Sequence, residues 1–322
     1  MIALETIDKL KFLASRYPSP HNVQPAVWKI EPDGSVTLFA DESRRLFVGD
    51  PDCRDHQISL GAAWECLKLA AGRFDLELEE CSLTYTAEPD VLVGVRQVIS
   101  GNLIKRTVPL DPLCNQLERR RCYRGVFKGK LDPEGFSRIE SLGWKMLTTA
   151  GDVLEVAKLY DQSTVAFMRG DGFADELYDW LRLRRNHCNY LKDGLNREAM
   201  SLSPLEGFVA DILMRPRVVN LLGRLGLLAQ IVTEAPQINS SSGIAVWIVQ
   251  GDEIPFNSGR KLLRAWLGMT ELDIYGCPLS SVTDNPKTCG ILKGLLGLRD
   301  NAGLVMALRI GPAAPPYLSP RL

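Results

Sequence analysis

Pro18-Ser19-Pro20-His21-Asn22-Val23-Gln24-Pro25 places two carboxamides, a hydroxyl and an imidazole within six residues framed by prolines. Asn and Gln each offer donors and acceptors, which suits the edge of a heterocycle that alternates N, NH and C=O. The prolines restrict the loop and lower the entropy lost when a ligand binds. Taken alone, the stretch also fits an ordinary helix-to-strand connection with polar turn residues. Its flanks agree with such a connection. Ala3, Ile7, Leu10 and Ala14 recur at helical spacing, with Leu13 on the same side, so an amphipathic helix ends before Pro18. On the other side, Val27–Ile30 and Val36–Phe39 are apolar runs joined by Glu-Pro-Asp-Gly, which predicts a hairpin. Ile58–Ala71 returns to helical spacing and is stopped by Gly72.

A second feature opens the other half of the chain. Arg119-Arg120-Arg121-Cys122-Tyr123-Arg124 concentrates guanidinium groups, which bind phosphate through paired, charge-assisted hydrogen bonds. The competing explanation is a solvated basic helix face. Cys122 has no histidine nearby in sequence to act as its base, so no covalent role is expected. Around this cluster, between Thr107 and Pro133, the chain turns from strand-containing to largely helical. We place a domain boundary there, giving halves 1–115 and 116–322. Phe173–Arg185, Leu205–Met214 and Gly259–Thr270 are predicted helices; Ile244–Val249 and Leu304–Ile310 are predicted buried strands. Asn239-Ser-Ser-Ser-Gly243 is a loop before a strand and a lesser candidate for ligand contact. Helices and strands without a regular βαβ alternation indicate an α+β class.

The rest of the composition narrows the function. The 322 residues suffice for two domains, and 45% hydrophobic with 24% charged residues is a globular composition. The net charge of -1 supplies no global field toward nucleic acid or anionic lipid, so any anion site must be local. Neither partner is expected. Residues 1–16 carry too many charges for a signal peptide, and Val218–Val232 is interrupted by Asn220, Arg224 and Gln230. Eight cysteines without a Cys-x-x-Cys pair or a Cys/His cluster fit reduced thiols of a cytoplasmic protein, and no metal site is expected. Gly170-Asp-Gly172 lacks the further acidic ligands of a calcium loop. His56 and His187 read as structural. The Pro-rich tail ends in Ser319-Pro320-Arg321, an arginine able to return to the same anion as the Arg-rich segment.

Together these segments resemble the nitroreductase superfamily of FMN-binding proteins. Pro18–Pro25 resembles its Pro-Ser-x-x-Asn-x-Gln-Pro loop, and Arg120-Arg121-Cys122-Tyr123-Arg124 its Arg-Arg-Ser-x-Arg segment. Asp41–Leu46, Asp50-Pro51, Ser59–Ala63, Gly259-Arg260, Ala265–Leu267, Gly276–Ser280 and Arg309–Gly311 also fit the family pattern. The match is patchy between residues 130 and 240. In ordinary members each site draws on two identical protomers. Here the Asn/Gln loop and the Arg-rich segment lie in different halves of one chain, which resembles fused members folded as an internal pseudo-dimer with one FMN site.

The resemblance implies roles residue by residue. Arg120, Arg121 and Arg124 would hold the phosphate and ribityl chain, with Arg321 closing on the phosphate. Ser19, His21, Asn22 and Gln24 would meet the ring or ribityl from the other half. Pro278, Leu279 and Ser280 would run beside the reactive flavin nitrogen, where a backbone NH tunes its electronics. The implied activity is NAD(P)H-dependent reduction of nitro, quinone or other conjugated small-molecule acceptors, without a protein nucleophile. The alternatives are an FMN-sequestering protein, with segment 160–200 as its lid, and a flavoenzyme independent of NAD(P)H. A monomeric pseudo-dimer or a homodimer is expected. Three positions depart from the family pattern. Ala26 and Val27 stand where an aromatic commonly follows Gln-Pro, Cys122 replaces a Ser or Thr, and Pro278–Val282 lacks the usual acidic and glycine residues.

Overall fold

The computed structural model describes residues 1–81, 83–84, 94–299 and 301–322. In chain order, α1 (Leu4–Ala14), β1 (Ala26–Ile30), β2 (Ser35–Asp41), α2 (Arg54–Gly72), β3 (Leu76–Glu80) and β4 (Val95–Lys105) are followed by α3 (Pro133–Ser141), β5 (Lys145–Leu147), α4 (Ala150–Arg169) and α5 (Phe173–Asp179). Then come β6 (Leu181–Arg182), β7 (Leu195–Asn196), α6 (Pro204–Leu213), α7 (Pro216–Arg224), α8 (Leu228–Val232) and α9 (Ala235–Asn239). The chain closes with β8 (Gly243–Gln250), α10 (Pro255–Glu271), β9 (Ile274–Pro278), α11 (Ser280–Asp284), α12 (Pro286–Leu295) and β10 (Ala302–Pro312).

The mixed α+β class is as read from the sequence. One antiparallel sheet runs β1-β2-β4-β3 within residues 26–105, and a second runs β5-β8-β10-β9 within residues 145–312. The hairpin β1–β2 pairs Ile30 with Val36 across the Glu-Pro-Asp-Gly turn, where Gly34 takes a φ of 97° that its residue type permits. Val36, Leu38 and Ala40 alternate inward, as a half-buried strand demands.

Between the sheets, α2 and α10 cross at their glycines. A Cβ on Gly61 would lie 1.8 Å from the Phe256 carbonyl oxygen, and one on Gly259 would lie 2.0 Å from the Ile58 carbonyl oxygen. The contact is reciprocal: each glycine sits three residues after the carbonyl that the other helix's glycine touches. Each apolar core accordingly borrows from the other helix. Phe256, Leu263 and Leu267 of α10 join the core of the first sheet, and Ile58 of α2 joins that of the second. Salt bridges from Arg260 to Glu65 at 2.9 Å and from Arg264 to Glu65 at 3.0 Å run along the same crossing.

Two sequence expectations change. The helix expected over 173–185 ends at Asp179, because the Arg182 side chain turns back to Asp193 and to the Asp179 carbonyl, and Leu181–Arg182 pairs in parallel with Leu195–Asn196. Arg119–Arg124 is not one helix face: the amides of Arg119 and Arg120 close a last turn on the Gln116 carbonyl, whereas Cys122 bridges to Gly276 and the Tyr123 amide donates to the Gly276 carbonyl at 2.9 Å, so the chain there runs along β9. All eight cysteines are free thiols.

Candidate functional site

The Pro18–Pro25 loop is held in backbone conformations that its residues seldom adopt. His21, Asn22 and Gln24 have φ of 47°, 59° and 55°, and none is glycine. Each such residue costs on the order of 1–3 kcal/mol and persists only where its surroundings over-determine it. The surroundings are visible. Asn22 Nδ2 donates to the carbonyls of Gly194 and Pro320, both at 3.2 Å, and its Oδ1 accepts from Arg321 Nη1 at 2.7 Å. Gln24 Nε2 donates to the Lys192 carbonyl at 2.9 Å, its Oε1 accepts from the Leu322 amide at 3.0 Å, and its own amide donates to Ser19 Oγ at 3.1 Å. The carboxamides expected to face a ring are therefore engaged by the chain itself.

Around them, three arginines from the beginning, middle and end of the chain converge. Arg120 Nη2 donates to the Arg16 carbonyl at 3.0 Å, and Arg16 Nη1 donates to the Ser319 carbonyl at 3.2 Å. Arg321 Nε and Nη2 donate to the carbonyls of Ser15 at 2.6 Å and Tyr17 at 3.3 Å. Nearby, Arg121 Nη1 donates to the Pro316 carbonyl at 2.5 Å. Among the described residues none of these four is in a salt bridge with a side-chain carboxylate. Burial, then repulsion from Arg120 and Arg16, pulls the Arg321 guanidinium down to about 9. Burial likewise lowers Arg16 and Arg120. Arg16 Nε and Arg120 Nε and Nη1 are buried without a hydrogen-bond partner among the described residues. Buried polar atoms are almost always satisfied, and so dense a buried positive charge matches an anion.

A second pole lies around Arg124. Burial opposes its charge, but Cys277, Glu234, Cys122 and Tyr160 together hold the guanidinium above its ordinary range. Burial, then Arg124, pushes His21 down to about 4, so its imidazole is neutral at neutral pH. His21, Arg124, Tyr160 and Arg321 each keep part of their surface open although burial is the largest influence on their charge.

Pro278, Leu279 and Ser280 reach this region at the end of β9, with one correction. The Leu279 amide donates to the Ala307 carbonyl at 2.8 Å and its side chain is fully buried, so it cannot tune a ligand. Pro278 has no N–H, which leaves the amide of Ser280, at the start of α11, as the donor of that stretch. The Asn239–Gly243 loop serves structure: Ser240 Oγ and Ser242 Oγ accept from the amides of Phe127 at 3.0 Å and Leu131 at 2.9 Å. Trp28, the first aromatic after Gln24-Pro25, stacks on Trp64 at 6.1 Å between ring centroids, inside the core.

Residues 181–196 cover the loop from outside. Asp193 is 1% exposed and joins Arg182 at 2.9 Å and Arg44 at 3.3 Å, while Gly194 and Lys192 bond to Asn22 and Gln24. Sequence reading missed Arg16, Tyr160, Glu234 and Asp193. Arg16 stands two residues before Pro18, close to the proline loop, a usable signal; the others lie in the stretch where the family resemblance is weakest. Among the described residues no cluster of potential ligands could hold a metal ion, and no helix is long and apolar enough to cross a membrane.

No family model matches the chain, and no curated protein matches it. Among solved structures it is similar to FMN-dependent nitroreductases. One is a nitroreductase with bound FMN from Bacteroides fragilis: 12% identity, 63% of this chain and 89% of that chain covered, TM-score 0.37. Another is the FMN-dependent nitroreductase NfnB from Mycobacterium smegmatis in complex with NADPH, with 18% identity, coverage of 62% and 86%, and a TM-score of 0.34. A third is the FMN and NADPH-dependent nitroreductase NfnB from sphigopyxis sp. strain HMH, with 16% identity, coverage of 66% and 95%, and a TM-score of 0.37.

Proposed function

We propose that this chain binds one FMN between the cluster of Arg16, Arg120 and Arg321 and the surroundings of Arg124, and acts as an oxidoreductase of the nitroreductase type, using NAD(P)H to reduce nitro, quinone or other conjugated acceptors. The observation that carries this reading is the convergence of Arg16, Arg120 and Arg321 with unpaired buried N–H groups and, among the described residues, no salt bridge, although the charge of Glu118 reaches Arg16. A phosphate dianion fits that donor set: it would neutralise charge that now repels and accept the orphaned N–H groups. FMN, when bound, supplies the hydride chemistry, so the protein needs neither a nucleophile nor a metal.

The residues divide the remaining work. Arg16, Arg120 and Arg321 hold the phosphate, with Arg121 fixing the tail that carries Arg321. Asn22 and Gln24 act by holding that tail and the covering segment in place, and Ser19 by fixing the loop through the Gln24 amide. His21, Arg124, Pro278 and Ser280 line the ring end, where Arg124 offers positive charge and neutral His21 a hydrogen bond or a stacking face. In this reading the halves 1–115 and 116–322 are a fused pseudo-dimer; the reciprocal Gly61/Gly259 crossing supports it.

A second reading, FMN sequestration, is favoured by the clasp of Asp193 with Arg44 and Arg182 over the loop. Anaerobic mixing of the yellow holoprotein with NADPH or NADH separates the two. Rapid bleaching is expected; a flavin that stays oxidised under excess nicotinamide supports sequestration instead.

A further inference from the structure

We propose that the outward face of α6 and α7 is a docking surface for an anionic lipid bilayer, on which this chain sits as a peripheral protein. Helix α6 is built inside out. Its buried positions are Gly207 and Asp211, whereas Leu205, Phe208, Val209 and Ile212, one stripe at helical spacing, are 72, 57, 43 and 36% exposed. A helix that only covers its own core does the reverse. The orientation is fixed from within, because Asp211 is gripped by Arg184 at 2.7 Å and Arg215 at 3.2 Å, and a Cβ on Gly207 would meet the Arg197 side chain at 2.8 Å. Helix α7 follows after two residues, buries Val219, and exposes Leu221 and Leu225 at 55 and 61% beside the exposed Arg217 and Arg224.

Charge decides what covers this face. Between residues 183 and 227, Arg184 and Arg185 are taken up by Asp211 and Glu198, and the exposed charged side chains without a salt bridge among the described residues are Lys192, Arg217 and Arg224 against Glu206, in a chain whose formal net charge is -1. A second copy docked by twofold symmetry would bring these cations against one another. Anionic headgroups neutralise them while the apolar stripe enters the boundary between headgroups and acyl chains. The sequence expectation of no membrane contact rested on net charge and on the lack of a spanning segment, and neither registers a local patch.

Flotation of the full chain with vesicles of phosphatidylcholine, alone or mixed with phosphatidylglycerol, tests this independently of any flavin. The protein is expected to float with the mixed vesicles, not with phosphatidylcholine alone, and to be released by high salt. Phe208→Asp should reduce the bound fraction by about tenfold or more, and Arg217→Glu with Arg224→Glu should reduce it while the thermal melt stays unchanged. Leu225→Asp gives a second apolar variant should Phe208→Asp fail to fold. Protein that stays unbound with the mixed vesicles, or binding that all these variants retain, overturns the proposal. A dimer in light scattering that Phe208→Asp dissolves, with no vesicle binding, assigns the face to a second copy instead.

Discussion

Replacing Arg321 by alanine separates a phosphate-binding role from a merely structural one. In the fold the guanidinium donates to Ser15, Tyr17 and Asn22, and a phosphate bound among Arg16, Arg120 and Arg321 would take one further charge-assisted hydrogen bond. Such a bond contributes about 1.5–3 kcal/mol. Its removal also takes away repulsion that the phosphate would otherwise relieve, which adds to the loss, so the net effect is at least about 2 kcal/mol, or roughly 30-fold or more in Kd. Fluorescence titration of the apoprotein with FMN measures it. Riboflavin, which lacks the phosphate, supplies the control: its affinity should be unchanged. The reasoning is refuted if FMN binds the variant as tightly as before, or if FMN and riboflavin weaken alike, because then Arg321 only props up the loop. Wild-type affinity for FMN, but not for riboflavin, should also fall as salt rises.

Arg121→Ala, which frees Pro316 and the tail, should weaken FMN binding about 10- to 100-fold in the same titration. Asp193→Ala strands the buried Arg182 and opens the clasp; FMN dissociation should accelerate about tenfold or more, and an unchanged off-rate would exclude 181–196 as a cover. Gly61→Ala should lower the melting temperature sharply, since its Cβ falls inside the Phe256 carbonyl; a melt close to wild type would show that α2 and α10 can separate. Burial, then the charge of Asp55, pushes Asp50 up to about 7 from an ordinary 3.8. A carboxyl raised in the folded state stabilises fully below its unfolded pKa and loses that contribution as pH rises through about 7. Asp50→Asn keeps an acceptor for only one of the Asp55 and His56 amides, which Asp50 Oδ1 and Oδ2 now serve separately, but it removes the buried charge; it should therefore lower the melting temperature at pH 4.5 and lower it less, or raise it, at pH 8.5.

Local signals in the sequence were reliable where the chain's neighbours in sequence are also its neighbours in space. The β1–β2 hairpin and the Ile58–Gly72 helix are set by turn residues and apolar spacing within a few positions. The proline loop and the Arg-rich segment could be picked out by composition, because clustered carboxamides and guanidiniums are rare without a partner. What those groups touch was not legible. Asn22 meets Gly194 and Pro320, and Gln24 meets Lys192 and Leu322, contacts that depend on how the whole chain closes. Arg16 lies just past the predicted amphipathic helix, and only its proximity to Arg120 makes it part of the proposed anion site. The outward stripe of α6 was invisible for a different reason: its periodicity reports a helix equally well whichever side faces the core.

The left-handed backbone at His21, Asn22 and Gln24 also says something about the order in which this molecule assembles. Those conformations are unfavourable until residues 192–194 and 320–322, far along the polypeptide, arrive to brace them. The loop should thus acquire its final shape late in folding, after both sheets exist. A transient loosening of either brace would let it spring back toward ordinary geometry, so the braced loop stores the energy that would release it.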